Sequence, residues 1–284
     1  VQKVETMIKC ISIASANDAS VAMAEHIAGS EEEFVSRMNA KAKELGMNNT
    51  NFVNCTGLDT DNHYTTAYDV ALMSRELITK YPQISNYATI WMDTFVHETK
   101  KGRTEFGLTN TNKLIKSYKG ITGLKTGSTS VAKYCLSATA RRNNMDLIAV
   151  IMAAPDTKTR FMEAAKLLNY GFANYSIYVD DNKDLVIEPV KVAKGVSDFV
   201  EGEVKKEFSY LCDKGKAAEN IRKEVVLYDK IQAPVKAGSK IGEVVYYYEN
   251  AQIGSVDILA KTNIDKAGFF DCLAKAVKRF FIQK

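Results

Sequence analysis

The chain has 284 residues, 46% of them hydrophobic and 25% charged, with a net charge of +4. That length allows one large domain or two with a substantial core, and the composition is that of an ordinary soluble globular protein. No stretch approaches the ~20 apolar residues needed to cross a bilayer. The whole basic excess lies in residues 261–284, leaving a neutral body that excludes a basic nucleic-acid-binding face.

The chain opens inside what reads as a helix: "VETMIKCISIA" sets Val4, Met7, Ile8 and Ile11 on one face, so the natural N-terminus is expected upstream of Val1. After a break at "SAND", a second helix runs through "ASVAMAEHIAG". Ser30 with Glu33, and Thr66 with Asp69, form capping boxes that open "EEEFVSRMNAKAKELG" and "AYDVALMSRELITKY". Between these helices "MNNTNFVNCTGLDTDNHYT" is dense in turn formers. The pattern then changes to strands, "MDTFVHE", "GITGLKTG", "KYCLSATA" and "MDLIAVIMAA", with "RRNNM" as a hairpin, and a helix "DTKTRFMEAAKLLNYGFANY" closes the region. Helices, an antiparallel run and a helix predict an α+β domain with a helix-covered antiparallel sheet over residues 1–177.

Residues 178–263 carry short Val-, Ile- and Tyr-rich runs separated by Gly, Pro, Asp and Asn, which predict a small all-β domain. Residues 264–284 have helical periodicity, with Phe269, Phe270, Leu273, Val277, Phe280 and Phe281 opposite Asp271, Lys275, Lys278 and Arg279. Such a helix either packs on the β domain or lies in a membrane interface; the local charge excess favours a membrane surface bound through residues 266–284.

The five cysteines are scattered and form no C-x-x-C pair, which argues against a zinc site or a disulfide scaffold. His26, His63 and His97 fall in a helix, a turn-rich loop and a strand and read as structural, and no H-E-x-x-H occurs. No metal or organic cofactor is implied.

Two triplets carry the chemistry. "KTG" at Lys125–Gly127, followed by Ser128, puts an ammonium and hydroxyls at a strand end, where they suit a small anion. "SAN" at Ser15–Asn17 can turn a hydroxyl and an amide into one cleft, or merely cap the following helix. Each is weak alone. In this order they match two of the three elements, S-x-x-K, Ser-x-Asn and K-T-G, of the active-site-serine penicillin-interacting enzymes.

The chain resembles the low-molecular-mass penicillin-binding proteins that act as serine-type D-alanyl-D-alanine carboxypeptidases. The resemblance runs through "ASANDASVAMAEHIAGS", "LGMNNTNFVNCTGLDTDNHYTTAYDVALM", "TNTNKL" and "GLKTGSTSVAKYCLSATA" into the β domain and tail. It implies a β-lactamase/transpeptidase-like catalytic domain. It also implies removal of the terminal D-Ala from peptidoglycan stem pentapeptides through a serine acyl-enzyme, acylation by β-lactam antibiotics, and a location on the outer face of the cytoplasmic membrane. By position, Ser15 would relay protons and Asn17 hold the substrate amide. Lys125 would hold positive potential over the site, Thr126 with Gly127 would bind the terminal carboxylate, and the Ser128 N–H would donate to the oxyanion. Arg160 would support the carboxylate site; its alternative is an exposed helix arginine.

The family's nucleophile, the serine of Ser-x-x-Lys, is not found at its usual place before Ser15. One literal match exists, Ser130–Lys133, but in extended chain positions i and i+3 face opposite ways, so it is rejected. The nucleophile is therefore expected outside this chain. "ELGMN" at Glu44–Asn48 superficially resembles a class A β-lactamase loop but ends a helix, and the β domain and tail also argue against a β-lactamase. A non-catalytic, membrane-associated peptidoglycan-binding homologue is the alternative.

Overall fold

The computed structural model describes residues 2–99, 102–213 and 218–282. The chain divides into two compact units, Val1–Ala173 and Asn174–Lys284. The first is built on a three-stranded antiparallel sheet in the order β3-β4-β5, with β3 at Ile121–Thr129, β4 at Lys133–Arg142 and β5 at Met145–Ala154. As the central strand, β4 is covered on both faces, and Leu136–Ala140 is a continuous buried run. Asn143 and Asn144, with φ of 50° and 60°, make the tight β4–β5 turn.

Helix α7 (Thr157–Asn174) covers one face through Arg160, Phe161, Ala164, Leu168 and Gly171, a stripe at helical spacing. Small residues on the sheet, Ala138 and Ala140, admit Phe161 and Leu168. Gly171 is required by close approach, because a Cβ there would lie 2.5 Å from Leu147 Cδ1. Helix α4 (Ala67–Lys80) also meets the sheet, and a buried hydrogen bond of 2.7 Å joins Ser74 Oγ to Ser137 Oγ. Between α7 and α4 the sheet is sandwiched as its composition predicts.

The remaining helices are α1 (Val4–Lys9), α2 (Asn17–Ala28), α3 (Glu31–Glu44), α5 (Ser85–Ala88) and α6 (Leu114–Ser117). Ser30 Oγ accepts from Glu33 N and Thr66 Oγ1 from Asp69 N, as the capping boxes predict. A hairpin, β1 (Met92–Thr99) with β2 (Gly102–Thr109), carries the chain from α5 to α6. Strand β2 is not predicted by the sequence: only Leu108 on it is buried, so no alternation marks it.

The second unit holds β6–β14. A four-stranded sheet, β11-β13-β14-β9, contains β11 (Ile221–Leu227), β13 (Lys240–Tyr248), β14 (Ala251–Ala260) and β9 (Gly202–Glu203). A three-stranded sheet of β12 (Ile231–Gln232), β7 (Val190–Ala193) and β8 (Phe199–Val200), in that order, and the pairing of β10 (Phe208–Asp213) with β6 complete it. Strand β6 (Tyr175–Asp180), which spans the composition change, belongs to this unit. Its core centres on fully buried Tyr246, which stacks on Phe208 at 3.7 Å and donates its hydroxyl to Asn182 Oδ1 at 2.8 Å. Helix α8 (Phe269–Ile282) is tied to the unit by Lys275 Nζ, which donates to Asp198 and to the Gly195 carbonyl. Phe269, Phe270, Phe280 and Phe281 are 75–82% exposed, so its apolar side is not packed on the β strands. Residues 283–284 of the predicted tail, and Val1, lie outside the described residues.

Buried Asp69 links α4 to the turn-rich loop: its carboxylate accepts from Asn49 N at 2.9 Å and Thr50 Oγ1 at 2.7 Å. Asp69→Ala keeps the Thr66 cap, whose partner is the backbone N–H, but strands those two donors. We expect a loss of roughly 2–4 kcal/mol in urea unfolding, with faster amide exchange in residues 49–65; an unchanged midpoint would remove the carboxylate from the loop's support.

Candidate active site

Helix α1 does not simply end. It widens into a π-helical segment, Cys10–Ala14, whose Cys10 and Ile13 are buried with Ala19 and Leu108. Such turns concentrate where a chain must aim a group. Ser15 follows in the left-handed region (φ 59°, ψ 42°), and Ala16 is the N-cap of α2 without any side-chain cap bond. Ser15 is therefore not a helix cap. Its hydroxyl accepts a hydrogen bond of 2.7 Å from Lys125 Nζ.

Lys125 lies on edge strand β3, paired with Ser137 of β4. Its ammonium also donates to the Thr126 carbonyl at 2.7 Å. Burial first, and then the nearby Arg160 guanidinium, push its pKa down to about 8. Thr126 is buried, and its hydroxyl is 2.5 Å from Thr111 Oγ1. Gly127 and Ser128 are exposed at the strand end.

Arg160 is 5% exposed, so it is not a solvent-facing helix arginine. Its Nη1 donates to the carbonyls of Gly127 (3.0 Å) and Cys135 (3.1 Å), stapling β3 to β4. Its Nε is buried without a partner. All seven residues singled out from the sequence (Ser15, Asn17, Lys125, Thr126, Gly127, Ser128 and Arg160) line one cavity of about 940 Å³. Asn17 stands exposed in the first turn of α2.

The Ser130–Lys133 match fails for a different reason from the one expected. The segment is a turn, not extended chain: Lys133 has φ 56°, and Ser130 Oγ donates to Asp59 Oδ2 at 3.3 Å. Its hydroxyl serves the β3–β4 hairpin. His63 also lines the cavity, but its Nδ1 accepts from Val53 N and burial lowers its pKa. The Cys55 thiol, another lining group, is pushed up to about 11 by burial and the Glu31 carboxylate, which makes it a poor nucleophile at neutral pH.

Two contributors escape the sequence reading. Thr111, inside "TNTNKL", pairs with Thr126, and Asp59 clamps the hairpin beside the strand end through Ser130 Oγ and Val131 N. Thr111 lies between Asn110 and Asn112, but Asn49 and Asn51 make the same pattern in the turn-rich loop, so the sequence carries no distinctive signal for it.

The model of the D-alanyl-D-alanine carboxypeptidase family, Peptidase S11, matches residues 2–156, and that of the penicillin-binding protein 5 C-terminal domain matches residues 172–266. The chain is 42% identical to D-alanyl-D-alanine carboxypeptidase DacF of Bacillus subtilis over 274 residues, covering 96% of this chain and 69% of that protein. It is 35% identical to DacA of Haemophilus influenzae, covering 95% of this chain and 68% of that protein. Penicillin-binding protein 5 of Haemophilus influenzae has a similar structure, with a TM-score of 0.71 and 31% identity over 93% of this chain and 75% of that one. Spanning most of both units at this identity, the chain belongs to the D-alanyl-D-alanine carboxypeptidase family.

Proposed function

We propose that this protein is a penicillin-sensitive D-alanyl-D-alanine carboxypeptidase acting on peptidoglycan stem pentapeptides. The observation that carries the reading is the Lys125–Ser15 hydrogen bond, made between residues 110 apart in sequence at the wall of the cavity. The peptide terminus brings one carboxylate, and the half-buried ammonium, the Thr126 hydroxyl and the guanidinium behind them are complementary to it. The free edge of β3 can pair with the peptide backbone.

In this reading the Thr126 hydroxyl, with Gly127, takes the terminal carboxylate, and Arg160 adds positive potential from behind. Asn17 holds the penultimate amide. The Ser128 N–H donates to the oxyanion of the tetrahedral intermediate, a contribution of roughly 3–4 kcal/mol per donor. Ser15, with Lys125 against it, passes a proton to the leaving D-Ala amine. Attack by a serine hydroxyl forms the acyl-enzyme and releases D-Ala; water then hydrolyses the ester. A β-lactam, carrying a carboxylate beside a reactive carbonyl, enters the same way.

The acylated serine lies, in our reading, outside these 284 residues. Mass mapping of the full-length protein after benzylpenicillin tests this. We expect one penicilloyl adduct on a serine of a Ser-x-x-Lys element outside the present chain. An adduct on a serine within it would overturn that placement, and no adduct in a folded protein would replace the enzyme with a non-catalytic peptidoglycan-binding homologue.

Lys125 gives a pH dependence of definite sign. With its pKa lowered to about 8, the ammonium is present below that pH and is lost above it. KM for the peptide should therefore rise as pH climbs through about 8, and Lys125→Arg, which keeps its charge, should flatten that limb. A KM that ignores pH in the wild type would remove Lys125 from carboxylate binding.

We place the protein on the outer face of the cytoplasmic membrane, held by α8. Among the described residues no helix is long and apolar enough to cross a bilayer. The exposed phenylalanines of α8 suit shallow insertion instead, beside exposed Lys278, whose charge favours anionic headgroups. Deleting residues 266–284 should release the protein from anionic vesicles in a flotation assay; undiminished binding would remove the anchor.

A further inference from the structure

Thr111 is held more rigidly than a loop threonine needs to be. Its neighbours Asn110 and Asn112 are 4% and 1% exposed. Asn110 Nδ2 donates to the carbonyls of Ala88 (3.0 Å) and Ile90 (2.8 Å), and its Oδ1 accepts from Asn112 N. Asn112 Nδ2 donates to the Gly123 carbonyl on β3, and its Oδ1 accepts from Leu114 N. Thr111 N itself donates to the Ile13 carbonyl, in the π-helical segment that leads to Ser15. Both amides thus bond main-chain groups on three segments, around residues 88–90, 112–114 and 123. The residue between them is fixed relative to both halves of the site.

What this scaffold presents is one hydroxyl, exposed toward the cavity and 2.5 Å from Thr126 Oγ1. Each hydroxyl has one proton and two acceptor lone pairs. When Thr126 gives its proton to an anion, the bond between the threonines survives only if Thr111 is the donor. A donor behind Thr126 also polarises its O–H and strengthens the outward bond. Without Thr111, the Thr126 hydroxyl could turn its proton elsewhere.

We propose that Thr111 is a positioning residue of this site: its hydroxyl donates to Thr126 Oγ1 and turns the Thr126 proton toward the carboxylate of the bound peptide. This rests on the reading of the cavity as a peptide-carboxylate site. The residue touches Thr126, not the reacting atoms, so its effect should fall on recognition of the terminal charge.

The test uses the full-length protein with a D-Ala-D-Ala peptide and with its C-terminal carboxamide. The quantity compared is the ratio of kcat/KM for the acid to that for the amide. Thr111→Val should lower this ratio about tenfold, the size of one hydrogen bond, through KM for the acid. Thr111→Ser, which keeps the hydroxyl, should restore most of it. In a Thr126→Val background the same Thr111→Val change should have no further effect on the ratio. If Thr111→Val destabilises the protein, Thr111→Ala, which is smaller and adds no bulk, carries the comparison. Equal losses for acid and amide, an unchanged ratio, or additivity with Thr126→Val would each overturn the proposal. A wild type that does not distinguish acid from amide would instead overturn the carboxylate reading itself, and Thr111's role with it.

Discussion

Lys125 Nζ lies 2.7 Å from Ser15 Oγ, and holding it there constrains two segments that are remote in sequence. On one side the chain leaves α1 through a π-helical segment and passes Ser15 in a left-handed conformation, which costs a non-glycine residue of order 1–3 kcal/mol. Buried Cys10 and Ile13 anchor that segment against α2 and β2. On the other side Lys125 is carried by a strand whose partner, β4, is buried on both faces and stapled back to β3 by Arg160. The packing of a small-residue sheet against α7 therefore reaches the site directly: a sheet that slipped by one residue would turn Lys125 to the opposite face.

Electrostatics explains why so costly an arrangement is useful. Burial lowers the pKa of both the Lys125 ammonium and the Arg160 guanidinium, and the nearby guanidinium lowers that of Lys125 further. Carbonyls and hydroxyls surround them, and among the described residues no carboxylate pairs with either. Such a site is short of one negative charge. On the proposed reading a peptide carboxylate would supply it, and binding would then restore the ammonium's pKa toward its ordinary value, linking proton uptake to substrate binding. Specificity for a chain terminus over an internal peptide follows from the same shortage, since an internal amide brings no charge.

Much of this was legible from residue patterns. The capping serine and threonine, the Asn–Asn hairpin, the apolar strand runs and the amphipathic tail each announce themselves through local chemistry, and local chemistry decides them. Ser15 and Lys125 are legible only as a pair, because each triplet alone has an ordinary structural explanation. Strand β2 was not legible, since Leu108 alone on it is buried and its polar residues read as loop. Nor were Thr111 and Asp59, whose importance lies in partners brought close by the fold, Thr126 and the turn at Ser130. The Ser130–Lys133 match shows the converse: a correct residue pattern placed in a turn, where the hydroxyl is committed to a carboxylate.

On the proposed reading, most of the groups lining this cavity recognise the substrate rather than attack it. On the proposed reading, binding the carboxylate, pairing the backbone and holding the oxyanion position need no nucleophile, and they can coexist in one folded unit without it. Of these contacts, the oxyanion donor would grip harder in the transition state than in the ground state and lower the barrier directly, as would the proton passed by Ser15. The carboxylate contacts act by fixing the scissile carbonyl against that donor, which turns remote binding energy into orientation at the reacting carbon. On the same reading, β-lactams would use these contacts by presenting a carboxylate beside a reactive carbonyl. On this reading the Thr111–Thr126 pair would keep the carboxylate anchor from rotating, and so from misplacing the carbonyl it is meant to aim.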